Sequence, residues 1–260
     1  MAKQSLDRAV WENDIHIVLA AKGGIGKTYV AGLFAQYAAQ QGRPMKVLDL
    51  DQSNAMLARI PSLKAESISL LSDARFDSTK FDALLKRMVS EPGPYILDVG
   101  ASTFQDVWRY FLKYKVFSLL KAQGRRVIVH SVIVGGPELP DTLTSFGDVA
   151  SNVPEMQVIV WINPIRGAVV MNQKTFRDMN VFENNQDKVL GIINLPEADE
   201  ATLSDLHLMA LKRSTLTTAD SCDDLDFIAK HRLAVHRDEL FDQVGSVWEA
   251  IGGKPSQVVA

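Results

Sequence analysis

Glycines, two lysines and a threonine stand close together between residues 21 and 28, where the sequence reads AKGGIGKT. The apolar run before them, residues 15–20, predicts a buried strand, and residues 27–41 predict a helix. A glycine-rich turn between a strand and a helix presents backbone N–H groups at a helix N-terminus, where phosphates bind. In such a turn Lys27 reaches the β- and γ-phosphates of a nucleotide, and the hydroxyl of Thr28 binds Mg²⁺.

The glycines of this segment carry no Cβ and therefore let the backbone pass close to a phosphate chain. We expect the nucleotide contacts of the loop to come from Gly23, Gly24, Ile25, Gly26, Lys27, Thr28 and Tyr29. The alternative is a glycine-rich surface turn with solvated lysines. The order strand, loop, helix favours a phosphate-binding loop.

Carboxylates follow two other predicted strands, at residues 45–50 and 95–97. Asp49 and Asp51 lie at the end of the first, and Asp98 closes the second. A carboxylate at the C-terminal end of a strand beside a phosphate loop can polarise an attacking water or approach Mg²⁺. Asp98 has the pattern of a Mg²⁺-holding aspartate, and the N–H of Gly100 could reach the γ-phosphate of a bound nucleotide. Two solvent-facing strand-end aspartates remain the alternative for Asp49 and Asp51.

The remaining pattern predicts the fold class. Further strands are expected at residues 127–134, 157–162 and 189–194. Helices are expected at 78–89, 103–123 and 140–151 and from 198 onward, with irregular segments at 52–75 and 164–186. Nearly continuous apolar strands alternating with helices are typical of a parallel sheet covered on both faces. The prediction is an α/β fold with a doubly wound, mostly parallel sheet.

Composition narrows the class of protein. The 260 residues suit one large domain, which we place at 14–252 between a polar lead-in at 1–13 and a flexible tail at 253–260. A net charge of −3 gives no global field that would attract nucleic acid or anionic lipid. The single cysteine, Cys222, excludes an internal disulfide and fits a cytoplasmic protein. No apolar run approaches membrane-spanning length.

The form KGGIGKT resembles the deviant Walker A motif of the ParA/MinD family of P-loop ATPases, because Ala21 replaces the first glycine and Lys22 follows it. The resemblance implies a homodimer that sandwiches ATP, with Lys22 reaching across to the partner's nucleotide. It implies that Asp51 positions the attacking water, that Asp49 lies nearer the metal, and that Thr28 and Asp98 hold Mg²⁺. The family's first switch is usually DxDPQ. This chain has DLDQS, without the proline, so the path of that loop stays open.

The same resemblance addresses the base. It implies that Asn163, after the strand at 157–162, hydrogen-bonds adenine and that backbone near Pro196 completes the pocket. An ordinary turn residue is the alternative for Asn163. Guanine-binding proteins use an [NT]KxD motif, and nothing of that form follows residue 162. ATP is therefore predicted over GTP.

Missing features narrow the branch of the family. The iron–sulfur branch needs cysteines that this chain lacks, and the tyrosine-kinase branch needs a C-terminal tyrosine cluster, whereas the last tyrosine is Tyr114. The membrane-anchored branch ends in a basic amphipathic helix. Residues 246–260 contain a single basic residue, Lys254, so no membrane anchor is evident. The plasmid partition and DNA-transfer branch remains, which implies a partition or DNA-transfer protein as partner.

The basic clusters are short, and we interpret them as solvated faces in preference to a DNA-binding surface. They are Arg125-Arg126, Lys212-Arg213 and Lys230-His231-Arg232. The five histidines show no ligand spacing and are expected to be structural or solvated. The combined prediction is a dimerising Mg-ATP switch. Two alternatives stay open: a small-molecule phosphoryl-transfer or ligase enzyme, and a nucleotide-gated adaptor that scarcely hydrolyses ATP.

Overall fold

The computed structural model describes residues 11–51 and 54–252 of the chain. Its strands, in chain order, are β1 (Asp14–Val18), β2 (Lys46–Asp49), β3 (Glu66–Ser67), β4 (Leu71–Ser72), β5 (Arg75–Phe76), β6 (Tyr95–Asp98), β7 (Arg126–Val134), β8 (Gln157–Asn163), β9 (Val170–Met171), β10 (Lys174–Thr175) and β11 (Val189–Asn194). Its α-helices are α1 (Lys27–Gln40), α2 (Ser78–Ser90), α3 (Ala101–Lys113), α4 (Val116–Ala122), α5 (Leu139–Asn152), α6 (Asn180–Glu183), α7 (Glu200–Leu211) and α8 (Phe227–Ala250).

Seven of these strands form one sheet in the order β11-β8-β7-β1-β6-β2-β3. Every neighbouring pair is parallel. The carboxyl ends of β1, β2 and β6 therefore meet at one edge, where Val18 pairs with Asp98 and Asp49 pairs with Asp98. The predicted central strands are confirmed. The edge strand β3 was not predicted, because Glu66 and Ser67 are exposed and carry no apolar signal.

Helices cover both faces of the sheet, as the α/β prediction required. One core cluster packs Phe81, Trp108 and Phe146 against one face. The other packs Phe34, Leu240 and Trp248 against the opposite face. Strand residues alternate between these clusters, with Ile17 in the first and Val18 in the second. This arrangement is the doubly wound α/β sheet.

The single helix predicted at 103–123 is wrong in one respect, because the segment is two helices. α3 ends at Lys113, and Lys115 adopts a left-handed conformation with φ 49° before α4 begins. The break returns Phe117 to the core, where its ring lies 4.9 Å from that of Phe111. A continuous helix would have carried the apolar side chains after residue 115 off the buried face.

A polar cluster is buried inside the second core. The Trp161 indole N–H donates to His130 Nδ1 at 2.9 Å, so His130 carries its proton on Nε2. That proton is donated to His16 Nδ1 at 2.8 Å. Both histidines are fully buried, and burial lowers the pKa of His130 to about 3 and that of His16 well below its ordinary value. These two histidines are structural, as expected.

The packed region begins before residue 14. Trp11 is buried, and its ring centroid lies 4.3 Å from that of Trp248 in α8. Residues 1–10 of the predicted lead-in and the predicted tail at 253–260 lie outside the described residues. Within the described part of the chain, no helix combines the length and the apolarity that crossing a membrane requires.

Candidate nucleotide-binding site

The AKGGIGKT segment connects β1 to α1, as predicted. Gly24 and Gly26 have φ of 72° and 96°, a region that residues with a Cβ rarely adopt. A Cβ on Gly26 would stand 2.8 Å from Nδ2 of Asn163. Helix α1 begins at Lys27, so the loop leads directly into the N–H groups of a helix N-terminus. This is the geometry that cradles phosphates.

Lys27 is nearly buried beneath this loop. Its side chain is 7 % exposed, and its Nζ donates to the backbone carbonyl of Lys22 at 2.6 Å. Burial lowers the pKa of Lys27, and the carboxylates of Asp98 and Asp51 partly offset that effect. A buried ammonium facing two carboxylates and the inside of an anion-binding loop is placed to bind phosphate oxygens.

Asp98 is the most unusual carboxylate of the site. It is buried, and neither of its oxygens has a hydrogen bond of normal geometry among the described residues, although the hydroxyl of Thr28 lies close enough to stabilise the carboxylate. Burial raises the pKa of Asp98 to about 6, and the hydroxyl of Thr28 beside it lowers that pKa by a smaller amount. Unpaired buried carboxylates are costly, so such a group is typical of a site that binds a cation.

These residues fit a hydrated Mg²⁺, which needs only one or two carboxylates together with phosphate oxygens and water. Thr28 and Asp98 would hold it. Asp49 has a second task, because its two carboxylate oxygens accept hydrogen bonds from the N–H groups of Asp51 and Ala58, each at 3.1 Å. Asp49 thereby shapes the loop after β2, and its contact with the metal stays a prediction.

Asp51 and Gly100 lie against each other at the mouth of the loop. A Cβ on Gly100 would stand 2.9 Å from Cγ of Asp51, so only glycine leaves room for the carboxyl group there. Gly100 directly precedes α3, which begins at Ala101. The structure thus brings Asp51 and Gly100 to the carboxyl edge that Lys27 and Asp98 also occupy. The water-positioning role of Asp51 stays a prediction.

Lys22 projects from the loop toward α5. Its Nζ lies 3.0 Å from Oδ2 of Asp141, and both side chains are about half exposed or more. An exposed ion pair of this kind contributes only about 0–1 kcal/mol, so it does not prevent Lys22 from moving elsewhere. Sequence reasoning missed Asp141, which is separated from Lys22 by more than a hundred residues.

A cavity of about 840 Å³ opens beside the loop. Its walls include Lys27, Thr28 and Tyr29, the segment after β2 with Met56 and Ile60, and the end of α7 with the turn that follows it. The end of α7 and its following turn contribute Met209, Arg213, Thr215 and Leu216. Helix α1 contributes Gln36. None of these five was predicted as a site residue. The cavity is large enough for a nucleotide.

Among the described residues that line this cavity, neither Asn163 nor Pro196 is present. Asn163 is 6 % exposed, its Nδ2 donates to the carbonyl of Ile25 at 3.0 Å, and its Oδ1 accepts from the N–H of Ile165 at 3.1 Å. Its amide thus fastens the phosphate loop to the turn after β8. Pro196 follows β11, where Leu195 N–H donates to the carbonyl of Ile162. Adenine recognition by Asn163 and Pro196 stays a prediction.

Two of the basic clusters differ from the solvated faces we expected. Arg125 is 4 % exposed, and Arg126 pairs with the buried carboxylate of Asp14. Arg232 joins α8 to α7 through Asp205 at 2.7 Å. Lys212 pairs with Asp224 at the surface. Arg125, Arg126 and Arg232 therefore stabilise the fold.

Comparison with known proteins identifies the class that this fold and site define. No family model matches the chain. Among solved structures, it is similar to a chain of the MinC:MinD cell division protein complex of Aquifex aeolicus, with a TM-score of 0.50 and 12% identity over 88% of this chain and 96% of that one. At that identity the likeness shows the fold alone, which is the P-loop NTPase fold of the MinD/ParA type.

Sequence comparison gives a narrower answer. Two curated relatives, both Protein TraL of Escherichia coli, are 32% and 31% identical to this chain over 232 residues, which is 88% of the chain and 96% of each relative. The chain belongs to the TraL family. The predicted resemblance to the ParA/MinD family is thereby confirmed at the level of family and fold, whereas the deviant form of the Walker A motif and the role in DNA transfer stay predictions.

Proposed function

We propose that the chain is a cytoplasmic, Mg-ATP-binding and hydrolysing switch ATPase of the ParA/MinD type, which dimerises and acts in plasmid conjugal DNA transfer or plasmid maintenance. The proposal rests on one observation: the ammonium of Lys27 and the carboxylate of Asp98 are both buried beneath the glycine-rich loop and interact electrostatically. A cation and a carboxylate in that position match the two needs of Mg-ATP, a partner for phosphate and a partner for the metal.

Each residue then has a task. Lys27 binds the β- and γ-phosphates, Thr28 and Asp98 hold Mg²⁺, and Asp51 orients water at the mouth of the loop. When bound, Mg²⁺ neutralises charge on the phosphates. Gly100 directs its N–H toward the γ-phosphate, so the start of α3 can respond to the presence of that group.

Lys22 supplies the coupling between two chains. Its ion pair with Asp141 is weak and exposed, so the ammonium can leave and reach the partner's phosphates in an ATP-bound dimer. A positive charge arriving there offsets charge that develops during phosphoryl transfer. The expected protein partner is a DNA-transfer or partition protein. We give direct DNA contact less weight than a protein partner. Arg125 is buried, and Arg126 and Arg232 form ion pairs within the fold.

Complementation between two inactive variants tests the proposal. Lys22→Ala should bind ATP without dimerising or hydrolysing it, and Asp51→Ala should bind ATP and dimerise without hydrolysing it. A mixed dimer contains one composite site with both residues intact, so ATP turnover should partly return on mixing. Lys27→Ala, which should lose binding, is the control when it is mixed with Asp51→Ala. Turnover must not return in that mixture, because neither site then has Lys22, Lys27 and Asp51 all intact.

Two results would oppose the proposal. Normal turnover by Lys22→Ala would remove the sandwich-dimer mechanism. ATP-induced dimerisation without measurable turnover in the wild type would favour the nucleotide-gated adaptor. The assays should be run with and without DNA, because the expected hydrolysis is slow and stimulated by a partner or by DNA.

A further inference from the structure

An arginine that the proposed mechanism does not use lies against the phosphate loop. Arg166 is at the tip of a tight turn after β8, which the N–H of Gly167 closes on the carbonyl of Pro164 at 2.8 Å. One nitrogen of its guanidinium, Nη2, stands 3.5 Å from the position that a Cβ on Gly24 would occupy. The side chain is 47 % exposed, so it is accessible at the rim of the loop.

The turn that carries Arg166 is firmly attached to its surroundings. The amide of Asn163 bonds both the carbonyl of Ile25 in the phosphate loop and the N–H of Ile165 in the turn. On its other side the turn packs main chain against main chain with the segment after β7. A Cβ on Gly135 would stand 2.0 Å from the carbonyl oxygen of Gly167, which no side chain could tolerate. Arg166 therefore has a fixed base.

Its guanidinium is also oriented. Nη1 lies 3.1 Å from Oε1 of Glu138, whose side chain is only 16 % exposed. The other oxygen of Glu138 is buried without a hydrogen-bond partner among the described residues. A carboxylate so poorly solvated depends on its cation, which holds the guanidinium in place. Because Glu138 holds Nη1, Nη2 is directed to the loop at Gly24.

We propose that Arg166 is a second cation of the phosphate site and that Glu138 orients it. Its Nη2 then donates to the phosphates of the nucleotide bound by the same protein chain. Arginine suits this task because its planar guanidinium offers several donors, so one edge can bind Glu138 while the other binds phosphate. The inference rests on the proposed nucleotide-binding function and adds a residue to it. Arg166 acts within one chain, whereas Lys22 is expected to act across the dimer.

The test measures the affinities of the full-length protein for Mg-ATP and ADP by calorimetry at low and moderate salt. Arg166→Gln should weaken both affinities about tenfold, as expected for the loss of a hydrogen bond to a charged group. The difference from the wild type should shrink as salt rises, because the contact is between charges. Arg177→Gln, the same change at an exposed arginine in the 3-10 turn at Phe176–Asp178, should bind both nucleotides like the wild type.

Arg166→Lys keeps the charge and the pairing with Glu138 but loses the fork, so we expect a smaller loss of about threefold. This variant carries the test if Arg166→Gln unfolds at a lower temperature than the wild type. Wild-type affinities in both Arg166 variants would overturn the inference while leaving the proposed function intact. Absence of nucleotide binding by the wild type would overturn both.

Discussion

Replacing Asn163 with alanine separates two roles for that residue. The substitution removes both side-chain hydrogen bonds, to the carbonyl of Ile25 and from the N–H of Ile165. Each buried group left without a partner costs roughly 1–3 kcal/mol, so the loss of two such hydrogen bonds should lower the free energy of unfolding by about 2–6 kcal/mol. The phosphate loop would also lose its attachment to β8. A bound nucleotide would then have to order it, which we expect to weaken binding about tenfold.

Calorimetry with ATP and GTP, together with denaturant unfolding of the nucleotide-free protein, measures these effects. If Asn163 supports the loop, both affinities fall and their ratio is unchanged. Asn185→Ala is the matched control, because Asn185 is equally buried and its side-chain amide also makes two hydrogen bonds, to the carbonyl of Val181 at 2.9 Å and from the hydroxyl of Ser151 at 3.4 Å, neither of them with the phosphate loop. The control should lose stability and keep its nucleotide affinity. A loss confined to ATP, with GTP binding unaffected, would refute loop support and favour adenine recognition.

Gly100→Ala should leave ATP binding intact but slow hydrolysis at least tenfold, because the new methyl group would stand 2.9 Å from Cγ of Asp51 and displace that carboxylate. Steady-state turnover of this variant at the wild-type rate would show that Asp51 is not positioned by this contact. ATP should bind more tightly than GTP in a direct competition experiment, and the reverse order would contradict the assignment of nucleotide class. The NMR chemical shifts of the ring protons of His16 and His130 should not change between pH 8 and 5, because burial lowers both pKa values. The two imidazoles stay neutral in the folded protein and would gain protons on unfolding. Their contribution to stability is therefore present above pH 6.5 and is lost as the pH falls below it. An imidazole shift near pH 6.5 at either histidine would show that water reaches this cluster.

The parts of the fold that could be predicted are those whose signal is local. The apolar runs of β1, β6 and β8 and the glycines between Ala21 and Thr28 each carry their own pattern, so both the sheet and the phosphate loop could be predicted. The break at Lys115 was missed because its cause is tertiary. The apolar residues before the break, up to Phe111, and those after it, from Val116, each fit a helix, and only packing against the same core separates them.

The same distinction applies to the candidate site. Lys27, Asp51 and Asp98 could be named because each ends or follows a recognisable strand or loop. Arg166, Glu138 and the wall of the cavity near Leu216 could not, because they meet the phosphate loop only through the order of the strands in the sheet. The position of Asn163 after a strand is visible in the sequence, but its contact with Ile25 depends on a tertiary approach that periodicity does not encode.

In the proposed mechanism ATP joins two chains by acting through the phosphate loop and Lys22. Sedimentation velocity of the wild-type protein with Mg-ATP and with Mg-ADP measures this directly, and Asp51→Ala gives a matched sample in which ATP should persist. We predict a dimer with Mg-ATP, most fully populated in Asp51→Ala, a monomer with Mg-ADP, and a monomer under both conditions for Lys22→Ala. The same sedimentation coefficient with both nucleotides, or a Lys22→Ala protein that dimerises with ATP, would contradict the account.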